Sequence, residues 1–167
     1  MQHTPETINE AIQYALKGHR PAIDYFMLVR DVLHFWDDLI DRDRPLRDTD
    51  INAAMFKVLV LLPQNSFYAE FKDSLTPVLV NAIANWQAAN QFERGDDPDQ
   101  LELAFVIRSD YANILIHCAY LVGGYFWMNE VTPLIRSLWT SENFQAYREN
   151  LMAEKAARAA SLASLAS

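Results

Sequence analysis

The stretch HFWDDLIDRD, residues 34–43, sets one His, one Arg and four Asp beside a Phe and a Trp. On a helix, His34, Asp38 and Asp41 fall at i, i+4 and i+7 and share a face, and Asp37 and Asp41 form a further i, i+4 pair. Like charges at that spacing cost a helix about 0.2–0.5 kcal/mol per pair. The cost is larger near a helix C-terminus, where the macrodipole disfavours anions. A divalent cation between the carboxylates would remove it, and Mg²⁺ in particular takes carboxylate oxygens while retaining waters and substrate phosphates. The other reading is a solvated acidic face, or one paired with the nearby Arg42, Arg44 and Arg47. The residues themselves leave both open.

Asp37-Asp38-Leu39-Ile40-Asp41 matches the DDxxD pattern and so resembles the class I terpenoid synthases, in which that helix binds the Mg²⁺ that holds a substrate diphosphate. That family carries a second metal motif, N-D-x-x-S/T-x-x-x-E. Ser109, Asp110, Asn113 and His117 stand at its spacing, with Asp110 in the Asp position and Ser109, Asn113 and His117 in place of Asn, Ser/Thr and Glu. The resemblance implies metal ligands among Asp37, Asp38, Asp41, Asp110 and His117. The same stretch followed by Glu70-x-x-Asp73 is similar to the EExxE…ExxD pattern of all-α nucleotide pyrophosphohydrolases, with Asp for Glu in the first half. That implies Mg²⁺-dependent hydrolysis of a nucleotide or diphosphate. The chain as a whole resembles short helical proteins encoded by bacteriophages, some of which carry a WDDLID-like stretch.

Other constellations point elsewhere. Asp31-x-x-His34 has the spacing of one half of a di-iron motif, but the second half is missing. The four histidines lack zinc-site spacings. His117 follows Ile114, Leu115 and Ile116 and reads first as a hydrogen-bonded histidine of the core. Cys118 has no cationic neighbour and reads as a buried, inert thiol. Neither G-x-S-x-G nor a glycine-rich phosphate loop occurs.

Helices must position these groups. Thr4-Pro5 reads as the start of a first helix that Gly18 ends. Pro21 opens a second, running to about Asp43, with Phe26, Val29, Leu33, Trp36 and Ile40 at helical spacing. Thr49 and Asp50 cap a third that Pro63 ends. Asn65 or Ser66 caps a fourth, to be broken or kinked by Pro77. Asp97-Pro98 starts a fifth, running to Gly123-Gly124. A short sixth follows, distorted near Pro133, and Ser141 caps the last. The expectation is a single all-α domain over residues 1–167, an antiparallel bundle of six or seven helices. Leu33, Trp36, Ile40, Leu79, Ile83, Trp86, Val106 and Leu121 are expected in its core. Residues 142–167 form a C-terminal helix docking on the bundle or on a partner subunit through Leu162 and Leu165.

Composition bounds the function. A net charge of −8 with no Lys/Arg cluster argues against nucleic acid. One cysteine excludes a disulfide within the chain, and the polar, acidic N-terminus lacks the pattern of a signal peptide. No stretch reads as a membrane span. The expectation is a cytoplasmic, non-enzymatic interaction protein with a protein partner or a homo-oligomeric state. The alternative is a Mg²⁺-dependent hydrolase of a diphosphate or nucleotide using residues 37–41.

Overall fold

The computed structural model describes residues 5–41, 45–139 and 143–165, with the side chains of Asp41, Trp139 and residues 158–165 outside that description. It is all-α, and no strand occurs among the described residues. The helices are α1 (Ile8–Ala15), α2 (Arg20–Asp41), α3 (Asp48–Phe56), a π-helical segment (Lys57–Leu61) continuing into α4 (Leu62–Gln64), α5 (Ser66–Arg94), α6 (Pro98–Ile107), α7 (Ala112–Trp139) and α8 (Phe144–Leu165). Since α3, the π segment and α4 form one continuous helical run, the described residues make seven such runs, of which α7 is interrupted at Gly124.

Helix ends follow local hydrogen bonding. Thr7, rather than the expected Thr4-Pro5 pair, caps α1, in a capping box with Glu10. Thr4 lies outside the described residues. Gly18 does end α1: its N–H reaches Gln13 O and that of Lys17 reaches Tyr14 O, with Lys17 and Gly18 both at positive φ (50° and 66°). This is a Schellman turn. The α2 helix begins beside His19, whose Nδ1 accepts the Ala22 N–H at 3.3 Å. Arg47 precedes α3 and is clamped to Asp50 by its own N–H and its guanidinium. Asn65 caps α5 by accepting from the Tyr68 N–H.

Three expectations need correction. Pro63 does not stop the third helix; it lies inside the continuous helical run, which ends at Asn65. Of the break or kink expected at Pro77, the break does not occur: α5 is continuous from Ser66 to Arg94. The expected fifth helix is two, because residues 108–111 form a turn between α6 and α7. The expected end at Gly123-Gly124 holds: α7 is two helices that meet across a kink at Gly124, where φ is 78° and ψ −177°. A Cβ on the preceding Gly123 would lie 2.2 Å from Trp127 Cδ1, so the ring packs where only glycine fits. From there the Trp127 indole donates to Ala15 O at 2.8 Å, at the end of α1. Ser141, expected to cap the last helix, lies outside the described residues; Asn143 accepts from the Ala146 N–H instead.

The core lies where α1, α2, α5 and α7 meet. Ile12 and Leu16, Tyr25, Phe26 and Val29, Phe67 and Leu75, and Ile114, Leu115, Cys118, Val131 and Ile135 are buried there. It sits nearer the N-terminal half of α2 than expected. Leu33, Leu79 and Leu121 pack against it partly buried, and Trp36, Ile83 and Trp86 are likewise partly buried. Ile40 (43% exposed) and Val106 (64%) are surface residues. Ile40 is one residue from the end of α2, beyond the reach of the crossing helices, and Val106 faces away on α6. A smaller cluster joins α6, α8 and the end of α5: Ala89, Leu101, Ala104 and Tyr147 are buried, and Phe105 meets Phe144 edge-on and Tyr147 at a tilt. Lys155 donates to Gly95 O and pairs with Asp96 at 3.2 Å. The C-terminal helix thus docks on the bundle through its first half, and the Leu162 and Leu165 side chains lie outside the described residues.

Tyr25 is fully buried, yet its hydroxyl has no hydrogen-bond partner among the described residues. A buried unsatisfied hydroxyl costs about 1–3 kcal/mol. Tyr25→Phe keeps the ring between Phe67 and Tyr68. It is expected to raise the urea midpoint without changing the slope of unfolding, and a fall in the midpoint would show that the hydroxyl is satisfied in solution.

Candidate functional site

Two neighbouring features lie along the C-terminal half of α2. The first is a polar network. Asp37 accepts the Trp86 indole N–H at 3.1 Å. Arg108, in the turn after α6, pairs with Glu93 of α5 at 3.3 Å, and Glu93 also accepts the Tyr147 hydroxyl at 2.6 Å. Burial works against the Arg108 charge, but Glu93, Tyr147 and Asp37 outweigh it and raise its pKa. Burial first, and then Glu93, push the Tyr147 phenol upward. Farther along, Asp110 accepts from the Asn85 and Asn113 amides, and Asn113 accepts from Arg136.

The residues proposed to bind metal are therefore distributed as follows. Asp37 faces Trp86, with Arg108 near enough to feel its charge. Asp38 is half-buried beside it. Asp41 is the last residue of α2, and its side chain is outside the described residues. Asp110 is in the turn before α7 rather than on a helix, tied to two asparagines. His117 lies a turn and a half into α7 and shares a 2.8 Å hydrogen bond with Ser74. Glu70 and Asp73 are exposed on α5. Among the described residues no three His, Cys, Asp or Glu side chains form a group able to hold a metal ion. Of the arginines expected to pair with the acidic face, Arg47 is engaged with Asp50, and Arg42 and Arg44 lie outside the described residues. The Asp37 charge acts instead on Arg108, far away in sequence.

The second feature is an apolar cavity of about 180 Å³, open on one side. It is walled by Val32, Leu33 and Trp36 of α2, Val58 of the π segment, Leu62, and Leu79 and Ile83 of α5. Lys57 stands at its lip and pairs with Asp31 at 2.5 Å. Trp36 packs on Trp86 with ring centroids 4.6 Å apart, so the tryptophan pair separates cavity from network. Sequence reading missed the cavity. The uninterrupted apolar run VLVLL at 58–62 was its only signal, and it reads equally well as packed helix.

No family model, curated protein or solved structure matches this chain.

Two outcomes test this geometry. Removing the Asp37 acceptor leaves the Trp86 N–H unpaired, which should cost about 1–3 kcal/mol if no water reaches it. Asp37→Ala and Trp86→Phe should therefore be non-additive in urea unfolding, the double variant losing less than the sum of the two; simple additivity would remove the hydrogen bond from the account. For His117, burial lowers the pKa below the ordinary value, and the hydrogen bond with Ser74 pulls the other way. The folded state thus favours neutral imidazole. Its contribution is present above the unfolded-state pKa, about 6.5, and is lost as pH falls through the lower folded value. Between pH 7.5 and 5.5 the native chain should lose more stability than His117→Gln, since the carboxylates common to both cancel. Equal losses would mean that the imidazole is free to charge in the folded state.

Proposed function

We propose that the protein is a non-enzymatic interaction protein that binds a protein partner through an apolar ridge on α3 and the π segment. The observation that carries this is the exposure of Ile51 (39%), Met55 (46%), Phe56 (54%) and Leu59 (71%): Ile51, Met55 and Leu59 are four apart and share one face of the helical run, and Phe56 widens it beside Met55. Grouped apolar exposure of this kind marks interaction surfaces, whereas scattered single residues do not. Charge narrows the partner. The chain carries −8, and Asp48 is exposed in the first turn of α3. A second copy would bring a second −8 to the contact, while an amphipathic helix with basic flanks would complement it. No described helix is long and apolar enough to cross a membrane.

The test uses a labelled Leu/Lys amphipathic helical peptide and its Leu/Glu counterpart, followed by fluorescence anisotropy. The basic peptide should bind saturably, more weakly as salt is raised, and at least about tenfold more weakly to Leu59→Asp or Phe56→Asp. The acidic peptide should not bind. Equal binding of both peptides, or no effect of either substitution, would defeat the ridge as an interaction site. Self-association of the native chain in sedimentation, lost in Leu59→Asp, would replace the partner by a second copy. The hydrolase alternative has its own readout: millimolar Mg²⁺ is expected to leave the melting temperature unchanged, and a Mg²⁺-dependent rise abolished by Asp38→Asn would favour metal chemistry instead.

A further inference from the structure

The cavity beside Trp36 has a size, a lining and a rim that together define a ligand. Its volume of about 180 Å³ is somewhat above the roughly 150 Å³ of apolar protein cavities that stay dry and bind benzene. That admits one aromatic ring with a small substituent, or a short alkyl chain, and excludes a nucleotide or an isoprenoid diphosphate. Val32, Leu33, Trp36, Val58, Leu79 and Ile83 offer no polar atom to a ligand except the Trp36 indole N–H, so hydrogen-bond recognition contributes little. The rim carries one cation, Lys57, already neutralised at 2.5 Å by Asp31. An anionic ligand would have to displace Asp31, and a cationic one would meet Lys57.

A second observation concerns the wall. Val58 belongs to the π segment Lys57–Leu61. Such segments widen the helix locally, are disfavoured over plain α-helix, and recur at functional sites. Here the widened turn brings Lys57 and Val58 to the cavity while leaving Leu59 outside, 71% exposed. An ordinary α-helical register would rotate these side chains relative to one another.

From these observations we infer that the protein binds a small, uncharged, apolar molecule, of the size of a monosubstituted benzene, in the cavity between α2, the π segment and α5. This site is separate from the ridge proposed to bind a partner and stands or falls without it.

The experiment uses toluene and benzoate as probes of equal ring size and different charge. Binding is read from the Trp36 indole resonance in heteronuclear NMR spectra, assigned with Trp36→Phe, and from the thermal midpoint. Toluene should shift that resonance in a saturable way and raise the midpoint, and benzoate should bind at least about tenfold more weakly. Asp31→Asn frees Lys57 and should narrow that gap in favour of benzoate. Val32→Phe fills the cavity from α2 and Val58→Phe fills it from the π segment; either should abolish the toluene response, and the pair guards against one variant failing to fold. The inference is overturned if toluene at its solubility limit leaves the resonance unmoved, if both filled variants still respond, or if benzoate binds the native chain as tightly as toluene does.

Discussion

The length of α2, α5 and α7 relative to the core they share constrains the rest of the molecule. At about 1.5 Å per residue, the 22 residues of α2 span about 33 Å and the 29 of α5 about 43 Å. Full burial on α2 stops at Val29: none of its described residues beyond that point is buried. The main core therefore holds only one half of α2, and the remainder must be held by side chains that join an apolar body to a polar tip. Trp36 and Trp86 are suited to this, because an indole covers a large apolar area and still presents one N–H. The Trp86 N–H finds Asp37 on the helix that its ring packs against. One contact thus combines apolar packing with polar satisfaction where the core has run out.

The tryptophan pair also explains why an apolar cavity and a charged network lie side by side. On one side, α2, the π segment and α5 leave a space that apolar side chains line, with Lys57 at its lip. On the other, Arg108 enters from the turn between α6 and α7, and its charge is held by Glu93 and felt by Asp37. Water admitted from the polar side would be expected to weaken both the Asp37–Trp86 hydrogen bond and the dry character of the cavity. The aromatic pair keeps the two environments apart, and the smaller cluster of Ala89, Leu101, Ala104 and Tyr147 anchors the network from below.

Much of the fold was legible in the sequence because its signals are local. Period-3.6 apolar spacing, Gly18, Asn65 and Asp97-Pro98 each act through hydrogen bonds within a few residues, and each marks a helix end in the structure. The errors arose where tertiary packing overrides a local rule. Pro77 is carried inside a 29-residue helix, and the polar run Arg108-Ser109-Asp110 turns the chain although its neighbours are apolar and helix-forming. The split between α6 and α7 changes the candidate site: Asp110 belongs to a turn bound to Asn85 and Asn113, so the four-residue spacings read along one helix do not apply to it. The partners of Asp37 could not be read at all, since Trp86 and Arg108 lie 49 and more residues away. Nor could the cavity, which is defined by what three elements fail to fill.

The acidic character of α2 follows from the same geometry. Asp24 pairs with Arg20 at 3.0 Å, Asp31 with Lys57, and Asp37 faces Arg108. Asp24 and Asp31 are seven residues apart and share a face of the helix, whereas Asp37, six residues farther on, is turned about 120° away from Asp31. Two of the three cations come from other elements, the π segment and the turn before α7. Carboxylates along α2 thus receive the basic groups of segments that cross it, where α2 no longer has a buried apolar face to offer. Exposed ion pairs are individually weak, about 0–1 kcal/mol, but Arg108 is partly buried among several partners, and removing one of them would strand charge rather than merely lose attraction.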